Sequence, residues 1–543
     1  MSVKYLSIFL FFFISLDLAA GPRCFHSHDT DKLDQLLAEI EFDTLNRPIN
    51  DNSRLSDRGL FRIHYLTTGE NAPADLDIDQ NGYPDYVDSV AYYFDYTYMI
   101  EVETLGFLSP MSEVSGIDLY DVYLWNLGDG NPGFYGQTFP IEQIKPNKAN
   151  PRYTSYIVVD NDFSPLDSSQ GNNGRIQTFN TFGYDALKVT VAHEFHHAIQ
   201  NMYGIDKFTA VMFMESTSVL MEFLLFPEIK DYFQYIDQLF KNPAEYPFGY
   251  KSNRNSIGPY AYSIFMIYLV ERFGTEIILS AWENILEGHN NYYSYDLALK
   301  DRGSNMDDAW CEFRIWCYYT GDRAIENSYF EYAEDYPEIA FNNQPYDTIS
   351  KPSFARTGTM KPYELRYYRV LFKNSGNVSD DTLDVLMGSY DIEAARFNLG
   401  RDLDYSLAVS EQDIPGSNPI DGIPFYYFFD APSNKICENI KLNRGSANFA
   451  IAHAYPNPFR EREGDALYFP APGKAILYDK VSLSIYTTDM YPVYQEEMEV
   501  EANNGNLVVR LSNMPDQIKS GVHIFSVKFE EEFLLGKIAV IRE

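Results

Sequence analysis

Two different spacings of hydrophobic residues are present in the first half of this chain. Short runs rich in β-branched and aromatic residues predict strands at 61–65, 121–125 and 153–160. Apolar residues three and four positions apart predict helices at 185–204 and 210–226, the first ending at a glycine and the second before a proline. Both kinds of element occur in one region, so we expect an α+β domain there.

The pattern changes further along the chain. A helix predicted at 258–274 is followed by a helical region that extends to Trp316, and turn residues then cluster at 341–352. Strand-like runs dominate from Tyr363 onward, as in antiparallel sandwiches. The predicted fold class is therefore α+β, with one mixed domain followed by two all-β sandwich domains. The expected divisions are a signal peptide at 1–20, an N-terminal segment and candidate propeptide at 21–60, the α+β domain at 61–340, and the sandwiches at 341–445 and 446–543.

An apolar run near the start of the chain predicts export. Residues 5–16 are mostly apolar, Lys4 precedes them, and the small residues Ala19, Ala20 and Gly21 follow. This length and these flanks are typical of a secretory signal peptide rather than a membrane span. Because no later stretch is apolar enough to cross a bilayer, we expect a secreted or cell-surface protein without a transmembrane segment.

The charge balance excludes one class of partner. The chain has 42 Lys and Arg against 78 Asp and Glu, which gives a formal net charge of -36. Binding to nucleic acid or to an anionic membrane needs clustered positive charge. We therefore expect neither of these partners.

The four cysteines are too few for a disulfide scaffold in a chain of 543 residues. They are Cys24, Cys311, Cys317 and Cys437. Cys311 and Cys317 could form a bond, but six residues apart in a helix they face different sides. Buried free thiols are the alternative.

The helix predicted at 185–204 carries the motif His-Glu-x-x-His. At 3.6 residues per turn, His193 and His197 project from one face, one turn apart, so both imidazoles can reach a single zinc ion. Glu194 then points towards the water beside that ion. His196 lies off the shared face and is interpreted as a bystander. The motif therefore predicts a zinc hydrolase.

A third zinc ligand must come from elsewhere in the chain. The metzincin continuation would need glycine and histidine where Gln200 and Tyr203 stand, so that class is excluded. The helix predicted at 210–226 returns towards the motif, and at 1.5 Å per residue Glu215 arrives near the depth of the two histidines. Glu222 lies two turns further on, too far to bind the same ion, and is interpreted as a salt-bridged or ligand-orienting carboxylate.

This set of residues resembles the gluzincin metallopeptidases, a family that includes thermolysin and the one-zinc aminopeptidases. The resemblance rests on His193, His197 and Glu215, with 17 residues between the second His and the Glu. It implies that these three residues bind zinc and that Glu194 is the general base. Thermolysin-like members also carry an Asp four residues after the ligand Glu, which orients a ligand His, whereas Val219 stands there in this chain. The residues that could supply this support instead are Ser216, Ser218 and Glu222.

The same resemblance suggests a residue that stabilises the oxyanion. The one-zinc aminopeptidases carry a Tyr at the head of a helix after the ligand Glu, and Tyr260 opens the helix predicted at 258–274. We therefore predict Tyr260 as the second catalytic residue, beside Glu194, with Tyr262 behind it. His289 is the alternative, because other gluzincins use a histidine donor.

A second metal site is predicted in the loop 77–88. Oxygen ligands at positions 1, 3, 5, 9 and 12, glycine at position 6 and a backbone carbonyl at position 7 reproduce the spacing of an EF-hand loop, although Asp replaces Glu at the last position. The alternative is a solvated acidic turn. We expect a structural calcium ion, followed by a helix from Ser89 to about Val102. The predicted calcium ligands are Asp77, Asp79, Asn81, the carbonyl of Tyr83, Asp85 and Asp88.

Two longer stretches resemble exported bacterial proteins. Residues 81–88 and 193–200 match the Asn-Gly-x-Pro-Asp-Tyr-Val-Asp and His-Glu-Phe-x-His-Ala-x-Gln motifs of a family of secreted bacterial metalloproteases. Residues 446–543, with Asn-Pro-Phe at 457–459, resemble the immunoglobulin-like sorting domain of proteins exported by the type IX secretion system. His523 replaces the usual Tyr there, and a plain β-sandwich is the alternative. The resemblance implies the secretion machinery as a partner.

These features together predict a secreted zinc metallopeptidase that acts on protein or peptide substrates. Zinc would lower the pKa of a bound water, Glu194 would take its proton, and Tyr260 or His289 would hold the oxyanion. In gluzincins a strand before the motif helix can pair with an extended peptide, and 156–160 is either this strand or an ordinary sheet strand. The alternative functions are a catalytically inactive, calcium-stabilised surface adhesin and a zinc hydrolase for other bonds.

Overall fold

The structure is a computed structural model that describes residues 47–542, apart from short internal segments. The predicted signal peptide, Cys24 and most of the segment 21–60 lie outside the described residues. The internal segments outside them are 114–118, 129–133, 145–150, 172–173, 205–209, 249–256, 344–346, 350–352, 373–380, 397–400, 411–414, 421–424, 444–449, 453, 461–465, 473, 489–490, 504–505 and 530–531.

Five strands from the first part of the chain form one mixed sheet. They are β1 (Asn52–Leu55), β2 (Phe61–Tyr65), β3 (Tyr120–Trp125), β4 (Gly136–Ile144) and β5 (Arg152–Asp160). Their spatial order is β1-β2-β3-β5-β4, with β2, β3 and β5 parallel and the two outer strands antiparallel to their neighbours. The three predicted strands are confirmed to within one residue at each end. A separate hairpin follows, made of β6 (Ser168–Gly171) and β7 (Gly174–Gln177).

The strand expected to pair with a peptide, at residues 156–160, does not lie at an edge of this sheet. β5 pairs with β3 on one side and with β4 on the other, so residues 156–160 are an ordinary sheet strand and cannot accept a peptide. β4 is the edge strand, and the sequence analysis did not predict it. Pro140 interrupts its pattern, and the β4–β5 register shifts between Pro140 and Gln143. Both features are tolerated at an edge, where not every backbone N–H is paired.

The helix after the predicted calcium loop begins four residues earlier than expected. α1 runs from Asp85 to Tyr98 and continues as a π-helical segment, Met99–Thr104. Asp85 and Asp88 therefore lie in its first turn, where carboxylates interact favourably with the helix dipole. The acidic residues of the loop are also the start of the helix, which the loop pattern alone does not indicate.

Two antiparallel helices carry the zinc motif and the predicted third ligand. α2 (Gly183–Tyr203) packs on β5 and β4, and α3 (Ala210–Leu225) packs along α2. The motif helix was predicted to begin at Asp185, but this residue lies within its first turn and accepts a hydrogen bond from Lys188 (3.1 Å). Gly204 ends the helix with φ = 101°, which a glycine adopts without strain. Nearly all of α2 is buried, so the motif lies inside the domain.

Six further helices are described between residues 233 and 318. The helix predicted at 258–274 is divided at Tyr262, which leaves the helical conformation with ψ = 7°. None of the helices in the described part of the chain has the length and apolar character that a bilayer span needs. The six are α4 (Phe233–Lys241), α5 (Gly258–Ala261), α6 (Ser263–Phe273), α7 (Glu276–Leu286), α8 (Asn291–Lys300) and α9 (Met306–Tyr318), with short 3-10 turns at Pro243–Glu245 and Gly321–Arg323.

The remainder of the chain is mostly β-structure, so the whole is a mixed α+β protein with several sheets. Its first part has the strands β8 (Asp347–Ile349), β9 (Ser353–Met360), β10 (Leu365–Phe372), β11 (Asp381–Ser389), β12 (Leu403–Ser410), β13 (Asn418–Pro419), β14 (Tyr426–Asp430) and β15 (Ile436–Asn443), with α10 (Ile392–Arg396) after β11. They form two four-stranded sheets, ordered β15-β11-β10-β8 and β13-β14-β12-β9.

The last part of the chain forms a near-barrel with its own hydrophobic core. Its strands are β16 (Ala450–Ala452), β17 (Phe459–Arg460), β18 (Leu467–Pro470), β19 (Lys480–Tyr486), β20 (Pro492–Asn503), β21 (Asn506–Leu511), β22 (Gly521–Phe529) and β23 (Glu532–Ile541). Their order is β16-β23-β22-β19-β20-β21-β18, and β17 also pairs with β23. A bridge between Tyr455 and Tyr468 brings the two ends of this sheet together.

The helices share one hydrophobic core with the four-stranded sheet that contains β10 and β11. Tyr363, Leu365, Tyr367 and Leu386, which lie on or next to β10 and β11, belong to the same buried cluster as Trp310 of α9. A second cluster fills the space between the two four-stranded sheets. The helical region is therefore braced by the sheet that follows it in the chain.

A disulfide bond joins the same two regions. Cys311 of α9 is bonded to Cys437 of β15, at a sequence separation of 126. Cys317 is a buried free thiol. The pairing of Cys311 with Cys317 is therefore wrong, and the alternative of a buried thiol holds for Cys317 alone. The helix turns Cys311 towards the sheet and Cys317 into the core.

We expect the double substitution Cys311→Ser, Cys437→Ser to lower the free energy of unfolding by about 2–4 kcal/mol, because a cross-link over so long a loop restricts the unfolded chain. Urea unfolding of the oxidised protein measures this loss. Cys317→Ala, which removes a buried thiol without removing a cross-link, is the control. An equal or smaller loss in the double variant would contradict the bond.

Candidate metal centre

Three side-chain atoms from α2 and α3 meet in the interior of the protein. Nε2 of His193 lies 3.1 Å from Nε2 of His197 and 3.2 Å from Oε2 of Glu215. Nε2 of His197 lies 3.6 Å from the same oxygen. The side chains are at most 4 % exposed. The fold thus brings together the three residues that the sequence suggests as zinc ligands.

The size of this triangle fits a tetrahedral zinc ion. Zinc bonds to nitrogen and oxygen are about 2.0–2.2 Å long, and tetrahedral geometry then separates neighbouring ligand atoms by about 3.3–3.5 Å. The three distances of 3.1, 3.2 and 3.6 Å lie around this value. Two histidines and one carboxylate also leave one position for water or substrate, as in catalytic zinc sites.

Nδ1 of His193 and Nδ1 of His197 point away from the triangle, and each has a hydrogen-bond partner that determines the tautomer of its ring. Nδ1 of His193 lies 2.8 Å from Oε1 of Glu222, and Nδ1 of His197 lies 2.8 Å from Oε1 of Gln200. The Gln200 amide is oriented by its Nε2, which donates to a backbone carbonyl of α3 (2.9 Å). Because both partner atoms accept hydrogen bonds, each Nδ1 is the donor. With a metal ion bound, each ring would be neutral and would direct a lone pair at Nε2 towards the same point.

The charges around this point favour a cation. Burial disfavours the charged form of His193, but its hydrogen bonds to Glu215 and Glu222 outweigh this and raise the pKa to about 10. A positive charge between the three converging atoms is thus stabilised by two buried carboxylates.

The residues that support the two histidines differ partly from those expected. Glu222 orients His193, as its position two turns beyond Glu215 allows. Ser218 lies 3.2 Å from Nδ1 of His197, whereas the hydroxyl of Ser216 bonds back to its own helix (3.4 Å). Gln200 was not among the predicted supporting residues. Its position three residues after His197 on the same helix was the available signal.

Glu194, the residue after His193, is held by the edge strand β4. Oγ1 of Thr138 lies 2.8 Å from Oε2 of Glu194 and 2.8 Å from its backbone oxygen. A Cβ atom on Gly136 would lie 2.8 Å from Cγ of Glu194, so this position needs glycine. Neither residue was predicted, because the strand itself was not, and a threonine two residues after a glycine is no signal by itself.

The three candidates for the oxyanion donor are in different surroundings. Tyr260 is buried, its ring lies nearly parallel to that of His193 (centroids 6.1 Å apart, 14°), and it stacks on Tyr235 (5.1 Å). The hydroxyl of Tyr262 donates to a backbone carbonyl within an aromatic part of the core. His289 is exposed after α7, where it packs against a tyrosine of α8. Of the three, Tyr260 is the one beside the candidate ligands.

His196, interpreted as a bystander, has a partner of its own. Its Nδ1 lies 2.7 Å from Oε2 of Glu101, which belongs to the π-helical segment after α1, and both side chains are fully buried. Burial raises the pKa of Glu101 well above its usual value and lowers the pKa of His196 well below its own, so the neutral forms are favoured. The pair fastens α2 to the segment behind it.

The predicted calcium loop brings some of its residues together. Carboxylate oxygens of Asp77, Asp79 and Asp85 lie within 4.8 Å of one another. Oδ1 of Asn81 accepts from the N–H of Tyr83 (2.8 Å). Asp88 is outside this group of three carboxylates: it pairs with an arginine of β1 and accepts from the amide of Asn81 (2.8 Å). Gly82 has φ = 90°, which explains the glycine at position 6 of the loop.

A further carboxylate group, at Asp160, Asp162 and Asp167, was not predicted. Asp160 is fully buried, and burial raises its pKa to about 7. Its two oxygens accept hydrogen bonds from four backbone N–H groups, at 2.6–3.0 Å, in the loops that follow β3 and β5. Asp160 therefore joins the loops that follow β3 and β5.

We expect Glu215→Ala to abolish tight zinc binding, because it removes the only carboxylate in the predicted ligand set. Glu222→Gln should weaken zinc binding by about 10–100-fold, since it removes the charge that orients His193. Competition with a chromophoric chelator measures both affinities. Glu276→Gln, an exposed change in α7, is the matched control. Wild-type affinity in Glu215→Ala would show that another residue is the third ligand.

Calcium removal by a chelator should lower the melting temperature, because Asp77, Asp79 and Asp85 would repel one another without a cation. Asp79→Asn should reduce this dependence on calcium, whereas Asp301→Asn, an exposed change at the end of α8, should retain it. Differential scanning calorimetry with and without calcium decides between a calcium loop and a solvated turn. An unchanged melting curve in chelator supports the turn.

Comparison with known proteins assigns no family to this site: no protein-family model and no curated protein matches the chain.

Proposed function

We propose that this protein is a zinc-dependent peptidase. The observation that carries the proposal is the triangle of His193, His197 and Glu215. Glu194 follows His193 directly on α2, and its carboxylate is held by Thr138. Two neutral imidazoles and one carboxylate are a ligand set of hydrolytic zinc sites. The motif glutamate is the usual general base in such sites.

The side chains divide the chemistry among them. When bound, zinc supplies a Lewis acid that makes water a stronger nucleophile and polarises the substrate carbonyl. Glu194 takes a proton from the attacking water and later gives it to the departing amine. Tyr260 donates its hydroxyl to the oxyanion. The low exposure of these groups strengthens each interaction, because little water competes for it.

An extended peptide is the substrate that suits the surroundings of the triangle. β4 is an edge strand, and its residues Gly136 and Thr138 contact Glu194. A peptide that adds to this edge receives main-chain hydrogen bonds and lies along the reacting groups. This adjacency is the reason to favour peptides over other hydrolase substrates.

We further propose that the protein is exported and that calcium stabilises it. We also propose that the secretion machinery recognises its C-terminal near-barrel. The apolar run at 5–16 and the carboxylate group of the loop 77–88 support export and calcium binding. The disulfide between Cys311 and Cys437 adds to this, because disulfides persist in oxidising compartments. In the near-barrel, His523 occupies the position of the usual Tyr and contacts the carbonyl of Lys519 through Nε2 (2.8 Å).

We expect Glu194→Gln to bind zinc like the wild type but to lose about 10²–10⁴-fold in kcat/KM, because an amide cannot accept the proton. Mass-spectrometric mapping of cleaved peptides in a denatured proteome digest, with and without a zinc chelator, identifies the activity and its specificity. Glu276→Gln is the control. Full turnover by Glu194→Gln would refute its role as the base. A zinc-loaded wild type that cleaves no peptide would leave the adhesin or another hydrolase.

A further inference from the structure

We propose that Thr138 is a positioning residue that holds the carboxylate of Glu194 and thereby links the edge strand to the general base. The inference rests on the proposed function, because it assigns a role to a neighbour of the predicted base. It adds a residue from β4 to a centre that otherwise consists of helical side chains.

Thr138 contacts the carboxylate of Glu194 directly. Oγ1 of Thr138 lies 2.8 Å from Oε2 of Glu194, a distance typical of a strong hydroxyl–oxygen hydrogen bond. Thr138 is 6 % exposed and Glu194 is 1 % exposed, so water competes little for either group. The bond joins residues 56 positions apart, which means that the fold rather than local chain geometry creates it.

The hydroxyl of Thr138 has a single hydrogen to donate. Oγ1 of Thr138 is equally close to the backbone oxygen of Glu194 (2.8 Å), but it can donate to one acceptor at a time. A carboxylate group is a stronger hydrogen-bond acceptor than a backbone carbonyl oxygen. As a β-branched residue in a strand, Thr138 also has few accessible rotamers, so its hydroxyl is well fixed. The hydrogen bond therefore restrains Oε2 of Glu194.

The face of β4 that carries Thr138 also shapes the space for Glu194. Gly136 and Thr138 are two residues apart and so lie on one face of the strand. A Cβ atom on Gly136 would lie 2.8 Å from Cγ of Glu194 and 2.8 Å from Cγ2 of Thr190. One residue of the strand therefore provides room for the side chain, and the next on that face holds its end.

The consequence is a link between substrate docking and proton transfer. Thr138 pairs with Ile157 of β5 on the inner side of the strand, which leaves the outer side of β4 as the edge of the sheet. A peptide that pairs with this edge fixes the same strand that holds Glu194. The base is therefore aligned with a substrate that binds by its backbone.

The experiment compares Thr138→Val with Thr138→Ser. Valine keeps the shape of the side chain and loses the hydroxyl, so we expect kcat to fall by about 10–100-fold at unchanged zinc affinity and nearly unchanged KM. Serine keeps the hydroxyl and should restore most of kcat. Thr154→Val is the matched control, since Thr154 is a buried threonine of β5 whose hydroxyl bonds to the backbone of Glu142.

Several results would overturn the role of Thr138. They are a kcat within twofold of the wild type in Thr138→Val, a change in KM alone, an equal loss in the Thr154→Val control, and a failure of serine to restore kcat. Crystal structures of the zinc-loaded wild type and Thr138→Val give a readout that needs no turnover. We expect the Glu194 carboxylate to bond to Thr138 in the former and to move in the latter, and an unmoved carboxylate contradicts the proposal. If the wild type cleaves no peptide, the proposed function fails, while these structures still test Thr138.

Discussion

Repulsion between electron-rich atoms is the constraint on which the centre of this protein depends. His193, His197 and Glu215 bring two nitrogens and one oxygen within 3.6 Å of one another in a part of the protein that excludes most water. Such an arrangement is costly unless a positive charge lies among the three atoms. Glu222 and Gln200 reinforce it, because they direct the lone pairs of both rings inward. A positive charge is therefore needed here, either a proton on His193 or the zinc ion of the proposed function.

The fold meets this constraint with two helices and one strand. Antiparallel packing of α2 and α3 places Glu215 at the inner nitrogen of His193 and Glu222 at its outer nitrogen, two helical turns apart. β4 crosses α2 at Glu194. The candidate ligands, their orienting partners and the predicted base therefore come from elements that are packed in one large core. This packing leaves little freedom to each side chain.

The β-structure that follows contributes to the helical region in two ways. Tyr363 and Tyr367 extend the helical core into β10 and the residues just before it, and the bond between Cys311 and Cys437 connects α9 to β15. The near-barrel has a core of its own and only its own residues in that core. This core is separate from the one that surrounds the candidate metal centre.

Local helix geometry made much of the metal centre predictable from the sequence. The four-residue spacing of His193 and His197, and the short return to Glu215, depend on neighbours in the chain and on the constant rise of a helix. Three of the five strands of the first sheet and the mixed α+β character of the chain were likewise predicted from periodicity. The tertiary structure decided which strand forms the edge, that Thr138 reaches Glu194, and that Cys311 meets Cys437 over a separation of 126. The tertiary structure also placed the ring of Tyr260 near that of His193. Residue spacing does not encode such features, because side-chain directions and contacts between distant segments arise only when the core packs.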